Sequence, residues 1–584
     1  MDDAKPSAEA LNDLEPFLST TSHALVLGGP GSGKTTSALL KAGREIESDS
    51  LSSGQNIVFL SFARATVARV AERAAELLSP AAMAQIEINT YHGFAWKLLR
   101  SHGYLLNGAE TLTLLPPPEA ATRLADIPTE SRHEEIRRLF HQEGVLHFDL
   151  FASLAADLLI RSNALRAIMC DAYPLIIVDE FQDTNPDEWQ FIRVLGQKSR
   201  LIALADAEQR IYEFRGADPK RIGEFITAHK PATFDLGTKN HRSNGKDIVG
   251  FGNDLLTNAH RNKTYADVAI VTYQMGRGIA LHHVLKSHVL GAVARLVKQS
   301  TEAWSLAVLV PTKRLMIEVS DYLASSQTFE SGKGYPEIVH EVALDAEAPA
   351  LAAVLIGRLL DCGTDPNATQ LALVQSVGEY LRGRKGSRSP TQAELALCGA
   401  LTAFIDGVPI RGKNRLRLIN EATNIATKVH SIELTGDSGN DWLVVRRLLA
   451  DSESPEFQQV AEDAKYLRLL NRGAQLRLRL GDLWRRNGSY SGASAAVRDA
   501  LLQEHFAAST RTWKGVHVMT IHKSKGKEFD EVIVYEGVFQ GRIVRSGASD
   551  RDVEQARLAL RVGVTRAMQR VTILTPQAAP CPLL

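Results

Sequence analysis

Short apolar runs that end in turn residues or acids recur along the chain, separated by longer amphipathic stretches. Residues 23–27 (His-Ala-Leu-Val-Leu) end in glycines, and residues 56–61 (Asn-Ile-Val-Phe-Leu-Ser) precede an Ala-rich amphipathic stretch over 67–78. Leu175-Ile176-Ile177-Val178 runs directly into two acids, and residues 200–204, 306–310, 516–520 and 532–535 have the same apolar character. Such runs fit strands buried on both faces of a parallel sheet. Their alternation with helical patterns, such as that over 34–46, predicts an α/β fold. Two regions break the rhythm and read as helical. One covers 101–170, entered through Pro116-Pro117-Pro118, and the other covers 346–505. The pattern therefore predicts two parallel-sheet cores, each carrying a mainly helical insertion. The first core is expected over 1–100 and 171–238 with its insertion at 101–170. The second is expected over 239–345 and 506–584 with its insertion at 346–505.

Length and composition agree with this. At about 150 residues per domain, 584 residues suit four such parts. With 44% hydrophobic and 23% charged residues the chain is neither disordered nor collagen-like. No apolar stretch approaches the roughly 20 residues of a membrane span. The acidic start Met1-Asp2-Asp3 lacks a signal-peptide pattern, and Cys170, Cys362, Cys398 and Cys581 show no paired spacing. A cytoplasmic protein without a membrane partner is expected. Lys plus Arg and Asp plus Glu balance at 67 each. Bulk charge thus gives no pointer to nucleic acid, although a basic channel is compatible with an acidic outer surface.

The chemistry begins at Gly28-Gly29-Pro30-Gly31-Ser32-Gly33-Lys34-Thr35, which fits G-x-x-x-x-G-K-[ST] between a predicted strand and a predicted helix. Successive backbone N–H groups of such a loop, with the helix N-terminus behind them, cradle phosphate oxygens. Lys34 would neutralise the β- and γ-phosphates and Thr35 would bind Mg²⁺. A carboxylate at a strand end should complete the site. Asp179, after the run 175–178, suits the metal, and Glu180 suits orienting an attacking water. An acidic strand end alone is more often a helix cap, but beside a phosphate loop it predicts nucleoside triphosphate hydrolysis, with ATP and Mg²⁺ as cofactors.

The sequence Asp179-Glu180-Phe181-Gln182-Asp183-Thr184-Asn185 resembles motif II of superfamily 1 DNA helicases of the UvrD/Rep/PcrA group. Five further segments resemble that family's motifs in its order. They are Thr90-Tyr91-His92-Gly93-Phe94 (Ib), Asp206 to Ala217 (III), Asn240-His241-Arg242-Ser243 (IV), Met519 to Phe529 (V) and Val562 to Gln569 (VI). The resemblance spans nearly the whole chain. It implies two RecA-like cores, 1A and 2A, with ATP between them, single-stranded DNA across both, and the insertions 1B and 2B. It assigns Gln209 to sensing the γ-phosphate, Arg242 and Arg566 to arginine fingers, and Glu528 to the ribose. Thr36 and His241 fall at nucleotide-contacting positions.

For DNA, stacking faces and phosphate donors are required. The resemblance puts them at Phe62 and Arg64 of motif Ia, at Thr90 and His92, at Tyr212, Phe214 and Arg215, and at His522. It implies an ATP-dependent helicase or translocase moving 3′ to 5′, with single-stranded DNA and single-strand/duplex junctions as partners. Compact relatives occur beside nucleases in antiphage systems such as Gabija, so a DNA-stimulated ATPase regulating a partner nuclease is the alternative. Basic runs in the second insertion (Arg382/Arg384/Lys385/Arg388, Arg411/Lys413/Arg415/Arg417 and Arg468 to Arg486) are candidates for gripping duplex phosphates.

Departures from the family pattern cluster around the base. Glu15 ends an element that usually ends in Gln, His241 replaces a stacking Tyr, and Thr36 replaces an Arg, so relaxed adenine selectivity is expected. Motif VI carries Arg561 where Tyr is common. The short stretch after Ala567 leaves no room for a C-terminal nuclease domain.

Overall fold

The computed structural model describes the chain apart from residues 1–7, 30, 49, 63, 109–111, 207–219, 238–245, 275–281, 300–303, 329–333, 343–346, 387–388, 467–474, 507–513, 539–540 and 546. Its α/β character is as expected. Among the described residues there are two six-stranded sheets whose neighbouring strands all run parallel. The first sheet is ordered Ile86–Thr90, Ile57–Ser61, Leu175–Val178, Arg200–Ala205, Ala24–Leu27, Ala232–Asp235. The second is ordered His340–Val342, Gly515–Thr520, Ser305–Val310, Phe529–Tyr535, Ala567–Pro576, Val268–Tyr273.

The central strands are those the apolar runs predict, apart from Ala567–Pro576, an interior strand of the second sheet that is an addition to the expected set. Ile57–Ser61, Leu175–Val178 and Ser305–Val310 are buried along their whole length because helices cover both faces of the sheet. The strands Ile86–Thr90, Ala232–Asp235, Val268–Tyr273 and His340–Val342 are additions to the expected set. Each lies at a sheet edge and is only partly buried; polar residues interrupt three of them, whereas Val268–Tyr273 contains the apolar run Val268-Ala269-Ile270-Val271. Local signals set helix starts. Asn185 accepts from Glu188 N–H at 2.8 Å while the Glu188 carboxylate accepts from Asn185 N–H at 2.9 Å, with Pro186 in the first helical position of Pro186–Leu195.

Chain contacts divide the molecule into two compact units. One comprises Met1–Leu98, Ala152–Leu344 and Ala508–Leu584 and holds both sheets; the other comprises Leu99–Phe151 and Asp345–Ala507. This division differs from the expected boundaries. The helices Phe151–Arg161 and Asn163–Ala172 go with the sheets, so the first insertion closes near residue 151 and not at 170. The two insertions also form one body. Thr122 Oγ1 donates to Glu379 O at 3.0 Å and Arg498 pairs with Glu119 at 2.9 Å.

The second unit is mainly helical, with a core around Tyr380, Trp442, Phe457 and Tyr490. Tyr490 Oη donates to Asp441 Oδ2 at 2.7 Å, which satisfies a hydroxyl in that core. Trp442→Ala is expected to destabilise this unit by about 3–5 kcal/mol. Faster amide exchange in the helices around it, with the sheets unaffected, is the measurement. The first and third of the basic runs predicted as a duplex grip are partly counter-charged, whereas among the described residues Arg411, Lys413, Arg415 and Arg417 face no acid within ion-pair distance. Arg384 and Lys385 share Glu394, Arg382 lies 3.8 Å from Asp126, Arg479 is 2.9 Å from Asp499, and Arg485 pairs with Asp482. Arg388, Arg468 and Arg472 lie outside the described residues.

Candidate active site

The strand Ala24–Leu27 feeds a loop that opens the helix Lys34–Glu47. Gly33 caps this helix at φ 88°, a left-handed conformation in which a Cβ would be strained, so the turn into the helix depends on glycine. Gly28 N–H donates to Ala205 O at 3.3 Å and Gly29 N–H to Gly237 O at 3.1 Å, which tethers the loop to the sheet's end. Lys34 Nζ donates to Gly28 O at 2.6 Å and Gly29 O at 3.0 Å. Ser32 Oγ is buried with no hydrogen-bond partner among the described residues.

Across this loop, Asp179 and Glu180 leave the end of Leu175–Val178. Asp179 N–H donates to Leu60 O at 2.8 Å, and Glu180 N–H to Asp179 Oδ1 at 3.0 Å. Glu180 has φ 51°, uncommon for a residue with a side chain and the kind of backbone strain that collects at functional sites. Burial pushes the Asp179 carboxyl up to about 7, with the charge of Glu180 adding to the effect. Burial acts on Glu180 in the same sense. There it is outweighed by Lys525, Lys34, a hydrogen bond from Gln182 and Arg566, which hold this carboxyl at about 2. Glu180 is therefore an ionised acceptor at neutral pH.

The second sheet completes the cleft, which has a volume of about 420 Å³ and is lined by the loop residues Gly31 to Thr36, by Asp179, Glu180 and Asp206, and by Glu528 and Arg566. Arg566 is buried and held by its own backbone turn, with Nε donating to Val562 O at 2.9 Å and Nη2 to Thr565 Oγ1 at 3.3 Å. Gly526 approaches the first core so closely that a Cβ there would collide with Thr66 Oγ1.

Three contributors escaped the sequence reading. Lys525, 5% exposed, forms an ion pair with Asp183 and lies 3.7 Å from Glu180 Oε2. Burial pushes the Asp183 carboxyl upward against the pull of Lys525. Arg69, on the helix Arg64–Leu77, lines the cleft and pairs with Glu528 at 2.8 Å. Lys525 and Asp183 both stand inside quoted motifs, the available signal; Arg69 has none. Glu15 is not at the cleft. Arg44 holds both its carboxylate oxygens at 2.8 Å, which corrects the expectation that it faces the base.

The donors fit Mg²⁺ with a triphosphate. Among the described residues no group of three or more His, Cys, Asp or Glu could hold a metal. Mg²⁺ commonly takes one or two protein oxygens and completes its shell with water and phosphate, which suits Thr35 and Asp179.

The predicted DNA residues that are described sit at the C-terminal ends of strands. Phe62 follows Ile57–Ser61, and Thr90 ends the neighbouring Ile86–Thr90 in register with Ser61. The Phe62 ring packs on Tyr91 with centroids 4.7 Å apart. Thr90 Oγ1 accepts from Gly93 N–H at 2.9 Å, His92 is half-buried in the helix Tyr91–His102, and His522 is exposed after Gly515–Thr520. Pro30, Gln209, Tyr212, Phe214, Arg215, His241 and Arg242 lie outside the described residues, as does the side chain of Arg64.

A phosphate loop facing acids of its own sheet and cations of a second is the arrangement of a two-core nucleoside triphosphatase. Residues 12–140 and 114–230 match the UvrD/REP helicase N-terminal domain, and residues 493–577 match the UvrD-like helicase C-terminal domain. The chain is 23% identical to DNA helicase II of Escherichia coli (strain K12), over 97% of this chain and 84% of that protein. It is 21% identical to the ATP-dependent DNA helicase PcrA of Leuconostoc citreum, over 95% of this chain and 80% of that protein. RecBCD enzyme subunit RecB of Mycobacterium tuberculosis (strain CDC 1551 / Oshkosh) is 26% identical over 74% of this chain, which spans 40% of it. The chain belongs to the UvrD/Rep family of DNA helicases, enzymes that hydrolyse ATP. No described helix is long and apolar enough to cross a membrane.

Proposed function

We propose that this protein is a motor that moves 3′ to 5′ on single-stranded DNA and separates strands at single-strand/duplex junctions. The supporting observation is that Lys34 and Glu180 of one core share a single cleft with Arg566 of the other, while Lys525 of that second core pairs with Asp183 beside it. A site divided between two bodies can be completed by closure, and closure is what a motor couples to hydrolysis.

On this reading Lys34 exchanges the carbonyls of Gly28 and Gly29 for the β- and γ-phosphates of ATP. Thr35 and Asp179 would hold Mg²⁺, which would screen phosphate charge. Glu180 accepts the proton of the attacking water. Arg566, with Arg242 and Gln209, neutralises charge on the transferring phosphoryl group. Glu528 leaves Arg69 to accept a hydrogen bond from the ribose. Phe62, Phe214 and Tyr212 stack on successive bases, while Arg64, Thr90, His92, Arg215 and His522 contact the backbone. Division into four parts, 1A, 1B, 2A and 2B, belongs to the same reading.

Strand displacement on duplexes with 3′ or 5′ single-stranded tails tests it. Opening from the 3′ tail alone, dependent on ATP, is expected; opening from the 5′ tail alone would reverse the assigned direction. Phe62→Ala should weaken binding to a labelled oligothymidylate by ~1–3 kcal/mol, the contribution of one stacked base. Fluorescence anisotropy measures this, and an unchanged affinity would leave Phe62 as packing for Tyr91.

A further inference from the structure

A buried polar chain leaves Glu180 and crosses into the second core. Gln182 Nε2 donates to Glu180 Oε2 at 2.6 Å, and Gln182 Oε1 accepts from Asp206 N–H at 3.0 Å. Asp206 follows the strand Arg200–Ala205, and its Oδ2 lies 3.8 Å from Nη1 of Arg561. Arg561 Nη2 donates to Asn253 Oδ1 at 2.9 Å on the helix Ile248–Thr257. The chain thus links motif II, the start of motif III, and two helices of the second core. Arg561 is 1% exposed and lies on Asp550–Val564, the helix that leads directly to Arg566.

A buried guanidinium is costly to desolvate, and an apolar side chain of similar volume often packs at such a place at no loss of stability. Cohesion of the two cores therefore gives little reason for a charge here. What the charge adds is direction. It sets an opposite charge, from the body that carries Arg566, at 3.8 Å from the carboxylate of Asp206, whose backbone N–H orients Gln182.

We propose that Arg561 is a positioning residue that transmits the arrangement of the second core, through Asp206 and Gln182, to Glu180, and so makes ATP hydrolysis responsive to DNA. The inference rests on the motor reading, in which the DNA-stacking residues follow Asp206 in the chain. It assigns Arg561 no contact with nucleotide. Loss of the guanidinium lowers the DNA-stimulated rate and spares nucleotide affinity and the DNA-free rate.

The test is steady-state ATP hydrolysis by the full chain, with and without saturating oligothymidylate. The variants are Arg561→Met, Arg561→Lys, Asp206→Asn and the double variant Arg561→Met/Asp206→Asn. Arg561→Met should cut the ratio of stimulated to unstimulated kcat by roughly 10-fold, within the usual range for coupling between sites, and leave the KM for ATP within about threefold. Arg561→Lys, which keeps the charge, should recover much of the ratio. The double variant should lose no more stimulation than Arg561→Met alone, because both changes cut one path. Stimulation unchanged in Arg561→Met, stimulated and unstimulated rates falling together, or no recovery with lysine in a stably folded variant would each overturn the proposal. If Arg561→Met does not fold, Asn253→Ala decides, because it removes the partner of Arg561 Nη2 outside the cleft: the same loss of stimulation supports the path, and full stimulation refutes it. A wild-type rate indifferent to DNA would refute the motor reading itself. A stimulated wild type beside an equally stimulated Arg561→Met would refute the coupling alone.

Discussion

Glu180→Gln is expected to bind ATP about as tightly as the wild type and to turn it over some 10²–10⁴-fold more slowly, the usual contribution of a positioned general base. The substitution keeps shape and removes the charge that accepts a proton. Glu180 meets two requirements of such a role, ionisation and a fixed position. Its carboxyl is held at about 2, so it is ionised at neutral pH, and Gln182 Nε2 fixes Oε2 from 2.6 Å. The competing account is that Glu180 serves only to hold Lys525, 3.7 Å away. Lys525→Met separates the two, since it removes the cation and keeps the base. Equilibrium binding of a fluorescent ATP analogue, read beside phosphate release, gives both quantities. Equal losses of turnover in Glu180→Gln and Lys525→Met would favour the holding role, and near-normal turnover in Glu180→Gln would remove Glu180 from the chemistry.

Arg566→Ala should leave nucleotide binding within several-fold of wild type while turnover falls toward ~10³-fold, the lower end for loss of an arginine finger. That fall corresponds to about 4 kcal/mol of transition-state stabilisation. The guanidinium is anchored by Val562 O and Thr565 Oγ1, buried, and close enough to Glu180 to help hold its carboxyl low. Because it comes from the second core, its charge should matter most when the cores close on ATP. Arg566→Lys is a poor substitute, since an ammonium cannot keep both anchors and reach phosphate as well. Measuring ATP consumed and duplex opened in one reaction tests the link to movement. Both should fall together in Arg566→Ala. Duplex opening that persists while hydrolysis collapses would break the connection between closure and stepping.

What the sequence determined by itself is what is written locally. The phosphate loop is legible because glycine spacing, Lys34 and Thr35 occupy consecutive positions between an apolar run and a helical pattern. The central strands are legible because burial on both faces forces continuous apolar runs, and Asp179 and Glu180 because they end one of them. The order of the motifs then implied two cores. Edge strands such as Ile86–Thr90 and Ala232–Asp235 were not legible, since partial burial mixes polar residues into them. The packing of the two insertions into one body depends on pairs such as Thr122 with Glu379, which no local pattern encodes. The tertiary structure alone decided which charges meet. Lys525 and Asp183 are 342 residues apart, and Arg69 meets Glu528 and Arg561 meets Asp206 across similar or greater separations. Each of these residues taken singly reads as a solvated charge. The pairs arise because the ends of parallel strands in two sheets face one cleft, where burial strengthens the interaction of charges that water would screen.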